Sequence, residues 1–503
     1  MSDIQSFRDA IEAFIATRGW TPTRFGRQIA GDPLFVFDLR EGREPRSDTR
    51  ARILKAMQEE AETPALPPLR IGVAGLGNVG ATLVRILQKD GAELNRKIGR
   101  QIVVTAVAAR SRSKDRGFDA SKVEWFDDPV ALAKSVKIDL FVELMGGEDG
   151  PALASVRSAL EIGRPVVTAN KALLARHGVA LAKLAEDNSA QLGFEAAVAG
   201  GIPVIKTLRE GLGSAQIARV YGIMNGTCNY ILTRMSNEGI AFADCLKDAQ
   251  RLGYAEADPT FDVGGFDTAH KLAILASLCF GCEIAPDEVF VEGITSITDA
   301  DIKVAGDLGY KIKLLGIARR SADGIEQRVH PTLVPKTSAI AGVDGVLNAV
   351  ALVTDHVHEL LLAGPGAGGP PTASSVLSDI LDIARGTRVP PLGVPSQELT
   401  PYRQAPMRAH EGGYYIRLNA RDVPGAFANI ATRMGEAGIS LESVIQRPDL
   451  KVTDPSASGG APIRTIVLIT HSTLDQSVCD ALARIAADGF IVGQPQLIRI
   501  ESL

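Results

Sequence analysis

Aromatic side chains supply only 5% of the 503 residues, and cysteine occurs five times. Five cysteines in so long a chain are too few for a disulfide framework, which points to a reducing compartment. Cys279 and Cys282 do form a CxxC, but in an apolar helical run without a second pair; core packing is preferred there over metal or redox use. No run approaches the ~18 consecutive apolar residues of a membrane span. The N-terminal MSDIQSFRDAIEAF has no basic-then-apolar leader. A cytoplasmic protein with no membrane partner is expected. Neither sign of charge dominates: 54 basic against 59 acidic residues leave -5, with no global pull toward nucleic acid or anionic lipid. The sequon Asn225-Gly226-Thr227 means little in such a compartment. No long internal repeat is present.

The length suggests about three domains at ~150 residues each. Residues 1–65 read as short helices and end in the proline-rich TPALPP. From 69 to 198 the chain alternates strand-like runs (LRIGVAGLGNVG, IVVTAVAA, DLFVELMGG, RPVVTANK) with helical patterns, the mark of a parallel, doubly wound sheet. Residues 199–362 mix strands such as ARVYGIMNG with helices such as HKLAILASL, giving a second α+β unit. A glycine-proline loop and helix, 363–390, return toward the first domain. After a proline-rich linker, 391–411, residues 412–503 read as βαββαβ.

Gly75-Leu76-Gly77-Asn78-Val79-Gly80 follows a buried strand and opens a helix, the context in which GxGxxG signals a dinucleotide. The glycines admit a pyrophosphate to backbone amides, and the helix N-terminus favours its charge. The second strand ends in AARSRSK, where an NAD site usually carries an acid, so Arg110, Arg112 or Lys114 can meet a 2′-phosphate. NADP is therefore expected, with NAD as the alternative. The bland reading is a set of solvated loop cations.

YAEADPTFDVGGFDTAHK, 254–271, places Glu256, Asp258, Asp262 and Asp267 beside an apolar run. Repulsion among these acids implies a solvated loop or a bound cationic group. Asp267 and Lys271 stand four apart and share one helix face; alternatively Asp267 or Thr268 caps the helix and Lys271 snorkels. VVTANK brings Lys171 to the end of a strand, on the side of the sheet where such folds bind ligands.

Together these stretches resemble the homoserine dehydrogenase family. AQRLGYAEADPTFDVGGFDTAHK is similar to its signature, and GLGNVG, VTANKALLA, FEAAVAGGIPVI, GIMNGTCNYIL and GPGAGGPPTAS fall in its order, so the resemblance spans roughly 69–503. It implies interconversion of L-homoserine and L-aspartate 4-semialdehyde, on the route to threonine, methionine and isoleucine. The implied architecture is α/β: a Rossmann doubly wound parallel sheet, an α+β substrate and dimerisation domain, and a terminal βαββαβ unit. By resemblance Glu256 and Asp267 contact the substrate, Asp262 supports the pocket, and Tyr254, Gly226 and Thr227 line its amino-acid end. Lys271 is the expected acid/base and Lys171 the polarising partner, near the cofactor. Two convergent lysines should depress each other's pKa, leaving one neutral. The reverse assignment stays open. The resemblance also places Gly146 and Gly368 beside the cofactor, with Gly75, Gly77, Asn78, Val79, Gly80 and Arg110. A structural monovalent cation such as sodium would take the backbone oxygens of Val198, Gly200 and Ile202 with the Glu195 carboxylate.

The tail, YYIRLNARDVPGAFANIATRMGEAGISLESVIQ, resembles an ACT domain, which implies an amino-acid effector, L-threonine, near Pro424 and Gly425. The alternative is a domain used only for contacts in a homodimer or homotetramer. The long loop RPDLKVTDPSASGGAPIR complicates that ligand site. Residues 18–55 carry nine basic against five acidic residues in a helix-turn-helix-like pattern, a modest footprint that makes nucleic acid an improbable partner. A second functional class, a DNA-binding metabolite sensor on a dehydrogenase fold, is weakened by the intact Lys171, Lys271, Glu256 and Asp267.

Overall fold

The computed structural model describes residues 3–62, 66–406, 410–447 and 462–501. Most of the long loop after Gln446 and part of TPALPP lie outside them. The chain forms two compact units, Met1–Leu69 with Leu87–Val103, and Arg70–Ile86 with Val104–Leu503.

In the first unit, helices Asp3–Arg18 and Ser47–Glu62 enclose shorter helical segments at 22–30 and Phe35–Arg40. Thr21 caps the second segment by accepting from Arg24 N. Gly31 ends it, in the left-handed region. Phe7, Ile11, Phe25, Val36, Leu39 and Ile53 form the core.

The second unit contains two sheets. Strands β1 (Leu69–Ala74), β2 (Ile102–Ala108), β3 (Glu124–Phe126), β4 (Leu140–Glu143), β5 (Val166–Thr168) and β6 (Leu192–Gly193) align in the order 3-2-1-4-5-6. β1 pairs with β4, β4 with β5 and β5 with β6, all parallel. Near-continuous burial of β1 and β4 is what a parallel sheet covered on both faces requires. Strand order reverses between β1 and β4, so the crevice beyond their carboxyl ends is the ligand position.

The second sheet is larger than the sequence suggested. β7 (Ile217–Ile223), β8 (Phe290–Val291), β9 (Tyr310–Ser321), β10 (Gly324–Pro335), β11 (Leu347–Thr354) and β12 (His358–Pro365) belong to the middle of the chain. β13 (Glu411–Arg421), β14 (Leu441–Gln446), β15 (Ile463–Thr470), β16 (Thr473–Leu474) and β17 (Gln496–Ile500) belong to the tail. The tail has the expected βαββαβ order, with helices Ala426–Glu436 and Asp475–Ala487. Its sheet is not separate: β17 pairs in parallel with β10, Thr332 with Arg499 and Leu333 with Ile500, making one 11-stranded sheet. A boundary drawn at 362/363 also falls inside β12, which runs on to Pro365 before helix Gly369–Arg385 begins.

All five cysteines are free, and burial pushes the Cys282 thiol up to about 11. Among the described residues no helix is long and apolar enough to cross a membrane.

One buried carboxylate ties the tail to the middle of the chain. Asp301, fully buried in helix Asp299–Asp307, accepts from Tyr415 Oη at 2.9 Å and Arg417 Nε at 2.7 Å, both on β13. Its other oxygen accepts from Thr298 N and Oγ1 at 2.9 and 2.7 Å. Asp301→Ala strands Arg417 and Tyr415 together and should cost about 3–5 kcal/mol, read as a lower urea midpoint; a midpoint within error of the wild type contradicts this.

Candidate active site

Helix Phe266–Phe280 starts after Gly265, whose φ of +88° closes the preceding turn, and no side chain caps it. Asp267 is thereby free for another task. Its Oδ1 lies 2.8 Å from Lys171 Nζ and its Oδ2 lies 2.7 Å from Lys271 Nζ. Lys271 Nζ also donates to the Met224 carbonyl at 2.6 Å, so it does not snorkel. Lys171 opens helix Lys171–Asp187 just past β5, with Asn170 as its cap. Strand end, helix start and signature helix thus converge on one carboxylate.

The two lysines do not simply depress each other. The charge of Asp267 raises Lys171 above its ordinary range, outweighing burial. At Lys271 burial is the larger effect and pulls the ammonium below its ordinary range despite Asp267. Burial would push Asp267 up, but Lys271 and Lys171 hold its carboxyl well below the usual carboxylate range. The lysine side chains are 35% and 10% exposed, which leaves Lys171 the wetter of the two.

Asn225 completes the constellation and was not foreseen. Its Nδ2 donates to Asp262 Oδ1 at 2.7 Å and Asp267 Oδ2 at 2.9 Å, while its Oδ1 accepts from Cys228 N and caps helix Gly226–Glu238. An Asn directly before a helix start is the signal that was available. Burial raises the Asp262 carboxyl, although the Asn225 hydrogen bond opposes it. Gly226 and Thr227 form the first turn of that helix, and Thr227 Oγ1 donates to the Tyr254 carbonyl at 2.6 Å. Tyr254 is exposed, its ring edge-on to Tyr230 at 5.1 Å. Glu256 is exposed, and its carboxylate has no hydrogen-bond or ion-pair partner among the described residues; its charge contributes to raising Lys171.

The glycines of the first βα turn differ in the space around them. A Cβ on Gly75, whose φ is +93°, would sit 2.3 Å from the Leu144 carbonyl oxygen, and one on Gly80 would sit 2.0 Å from Gly75 O. A Cβ on Gly77 would meet nothing within 4 Å. Two glycines close the turn and the middle one leaves an open approach to the N-terminus of helix Asn78–Ile98, which suits a pyrophosphate. Val79 lies in the first turn of that helix. Gly369, next to Gly368, lies against Asn78, where a Cβ would be 2.7 Å from Oδ1.

Glu143, a second unforeseen residue, is fully buried at the end of β4. It accepts from Met145 N at 2.6 Å, Gly146 N at 3.2 Å and Thr168 Oγ1 at 2.6 Å, and so shapes the Gly146 loop; an acid inside the apolar DLFVELMGG was its signal. After β2, Arg112 pairs with Asp127 at 2.9 Å, whereas Arg110 and Lys114 are exposed with no side-chain partner among the described residues. Arg116 donates to the carbonyls of Leu76, Ser111 and Lys114 and pins this loop to the glycine turn.

Glu195 is 1% exposed and accepts from Ile205 N at 2.9 Å and Lys206 N at 2.8 Å. Burial, with Asp379 nearby, pushes its carboxyl up to about 7. Val198, Gly200 and Ile202 follow in the same buried stretch; the Ile202 carbonyl already accepts from Val204 N at 2.8 Å. In the tail, Gly425, with φ +90°, opens helix Ala426–Glu436, and Asp422 pairs with Arg464 at 3.2 Å.

Two family models match the chain. One described as homoserine dehydrogenase, NAD binding domain, covers residues 75–195, and one described as homoserine dehydrogenase covers 203–381. The homoserine dehydrogenase of Neisseria gonorrhoeae is 43% identical over 444 residues, 87% of this chain and 100% of that protein. The crystal structure of a homoserine dehydrogenase from Thiobacillus denitrificans is 42% identical with a TM-score of 0.80, covering 86% of this chain and 98% of its own. A hyperthermophilic archaeal homoserine dehydrogenase in complex with NADPH is 28% identical with a TM-score of 0.56, over 64% of this chain and 99% of its own.

In the unfolded chain Glu195 ionises near its ordinary 4.5, whereas folded it keeps its proton to about 7. Its contribution to stability is therefore present below 4.5 and is lost as pH rises from 4.5 through about 7. Glu195→Gln should flatten that part of the melting-temperature profile; an unchanged slope contradicts the assignment.

Proposed function

The chain belongs to the homoserine dehydrogenase family and is an NAD(P)-dependent oxidoreductase; on that premise we propose how its residues divide the work of interconverting L-homoserine and L-aspartate 4-semialdehyde. The observation that carries the proposal is the Asp267 carboxylate shared by two lysines in unequal surroundings. Lys171, held charged by Asp267, faces the oxygen on C4 and stabilises negative charge as it develops. Lys271, drawn toward the neutral amine by burial, takes the hydroxyl proton as the C4 carbonyl forms and returns it in reverse. The dinucleotide, when bound, supplies the hydride acceptor. Glu256 and Asp267 offer negative charge to the substrate ammonium, Asn225 and Asp262 keep Asp267 in place, and Tyr254, Gly226 and Thr227 bound the amino-acid end.

Gly75, Gly77, Asn78, Val79 and Gly80 would receive the pyrophosphate, with Gly146, Gly368 and Lys171 bordering the same crevice. The exposed, unpartnered Arg110 and Lys114, with no acid at the end of β2, support NADP over NAD. A monovalent cation such as sodium would sit beside Glu195, a carboxylate 1% exposed in the same buried stretch as Val198, Gly200 and Ile202; it would stay structural. Among the described residues β12 and β14 are the terminal strands of the larger sheet, and pairing along such an edge with a further copy would give a homodimer or homotetramer. The left-handed Gly425 turn supports an L-threonine site on the tail. The family assignment disfavours the DNA-binding sensor.

Lys271→Ala should lower kcat with L-homoserine and NADP by about 10³-fold while leaving the dissociation constant for NADP unchanged, followed by absorbance of the reduced nicotinamide. Should Lys271→Ala keep the acidic limb of the pH profile and Lys171→Ala lose it, the roles reverse. Added L-threonine should slow the wild type but not Gly425→Val; a titration that moves neither rate nor melting temperature sinks the regulatory role.

A further inference from the structure

The edge of β10 opposite β9 is shared by two short strands placed end to end. β8 pairs with Arg328 and Val329, and β17, the last strand of the tail, pairs with Thr332 and Leu333. Where these two meet, Arg499 of β17 reaches the segment that leaves β8. Its Nη1 is 2.7 Å from Glu292 Oε2, its Nε and Nη2 are 3.1 and 2.8 Å from Asp475 Oδ1, and its guanidinium lies 5.0 Å over the Phe290 ring. The Arg499 side chain is 2% exposed and Asp475 6%, while Glu292 is 38% exposed. Glu292 is thus the one partner of this arginine that solvent can compete for.

The Glu292 segment is also the floor of the signature turn. Glu292 N donates to the Val329 carbonyl at 2.7 Å, and Ile294 N donates to the Val263 carbonyl at 2.9 Å. A Cβ on Gly293 would sit 2.4 Å from Val263 O and 2.8 Å from the Cα of Gly264. Across the turn, a Cβ on Gly265 would sit 3.1 Å from Val291 and Val329. At Gly293 backbone therefore rests directly on backbone, and at Gly265 the turn rests on the branched side chains of Val291 and Val329, which leave little room for a shift. Asp262 precedes this turn by one residue and Asp267 follows it by two, so displacing residues 292–294 displaces the carboxylates that hold Asn225 and both lysines.

We propose that Arg499 and Glu292 are a positioning pair: the C-terminal βαββαβ unit fixes the Val263–Gly265 turn through them and so sets the geometry of the amino-acid end of the substrate site. Neither residue is among those placed at the substrate or cofactor site. The inference rests on the dehydrogenase reading for its kinetic consequence, though not for its structural one.

The test uses the full-length protein and the variants Glu292→Ala, Arg499→Lys and their combination. Glu292→Ala should raise the KM for L-homoserine about tenfold, since small misplacements of a binding group are costly, with the KM for NADP and the melting temperature near wild type. Arg499→Lys keeps the charge and should give a smaller rise, and adding it to Glu292→Ala should add nothing further. Amide exchange at 263–265 in the ligand-free protein should be faster in Glu292→Ala. A homoserine KM within twofold of wild type, an equal rise in both KM values, or unchanged exchange at the turn each overturns the pair. If the wild type fails to oxidise homoserine, the dehydrogenase reading fails, and the exchange measurement alone still decides the inference.

Discussion

A single carboxylate is the constraint around which the site is arranged. Two ammonium groups brought to within hydrogen-bonding distance of the same place repel each other, and burial adds a desolvation cost for each. Asp267 offsets both, one oxygen to each lysine. The arrangement is asymmetric because the surroundings are: Lys171 stands at the mouth of a helix near solvent, and Lys271 projects from inside a packed helix against a backbone carbonyl. Unequal environments around one shared counter-ion separate the two lysines' proton affinities, which acid/base chemistry at near-neutral pH requires.

Much of this was legible in the sequence, and the reason differs by element. The GLGNVG turn could be read because its glycines have a local steric cause. Asp267 and Lys271 could be paired because four residues on a helix is a fixed geometry. The convergence of Lys171 on the same acid could not be derived from spacing, since it depends on how a parallel sheet and a distant helix meet; the family resemblance brought the two lysines to one pocket but not to Asp267. Asn225 and Glu143 were missed for a related reason: each is a short polar side chain whose role is to satisfy groups from other segments. The pKa expectation held for Lys271, lowered by burial with Lys171 contributing, and failed for Lys171, because mutual repulsion was considered without the acid between the lysines.

The merging of the tail with the central sheet was also invisible. β17 looks like any short apolar strand, and nothing in QLIRI names β10 as its neighbour. The seam is rich in buried charge. Arg328, 1% exposed, meets Glu501 at 2.6 Å and Glu326 at 2.9 Å, and Arg499 meets Asp475 and Glu292 close by. Such pairs add little net stability, because desolvation consumes most of the Coulombic gain, but a misaligned seam would leave them unpaired at high cost.

The parallel pairing of β10 with β17 has a consequence for how the chain is made. During synthesis β10 leaves the ribosome well before the residues that will cover it, and β8 protects only the Arg328–Val329 end of that edge. Until β17 arrives, Thr332 and Leu333 present open backbone donors and acceptors beside an Arg328 that has Glu326 but still lacks Glu501, the kind of edge that recruits other strands. The nascent protein thus holds the helix that carries Asp267 and Lys271 beside a half-finished sheet. Its last described strand acts as a latch on the whole, so the interval before closure is when the chain is most open to wrong pairing or to a chaperone.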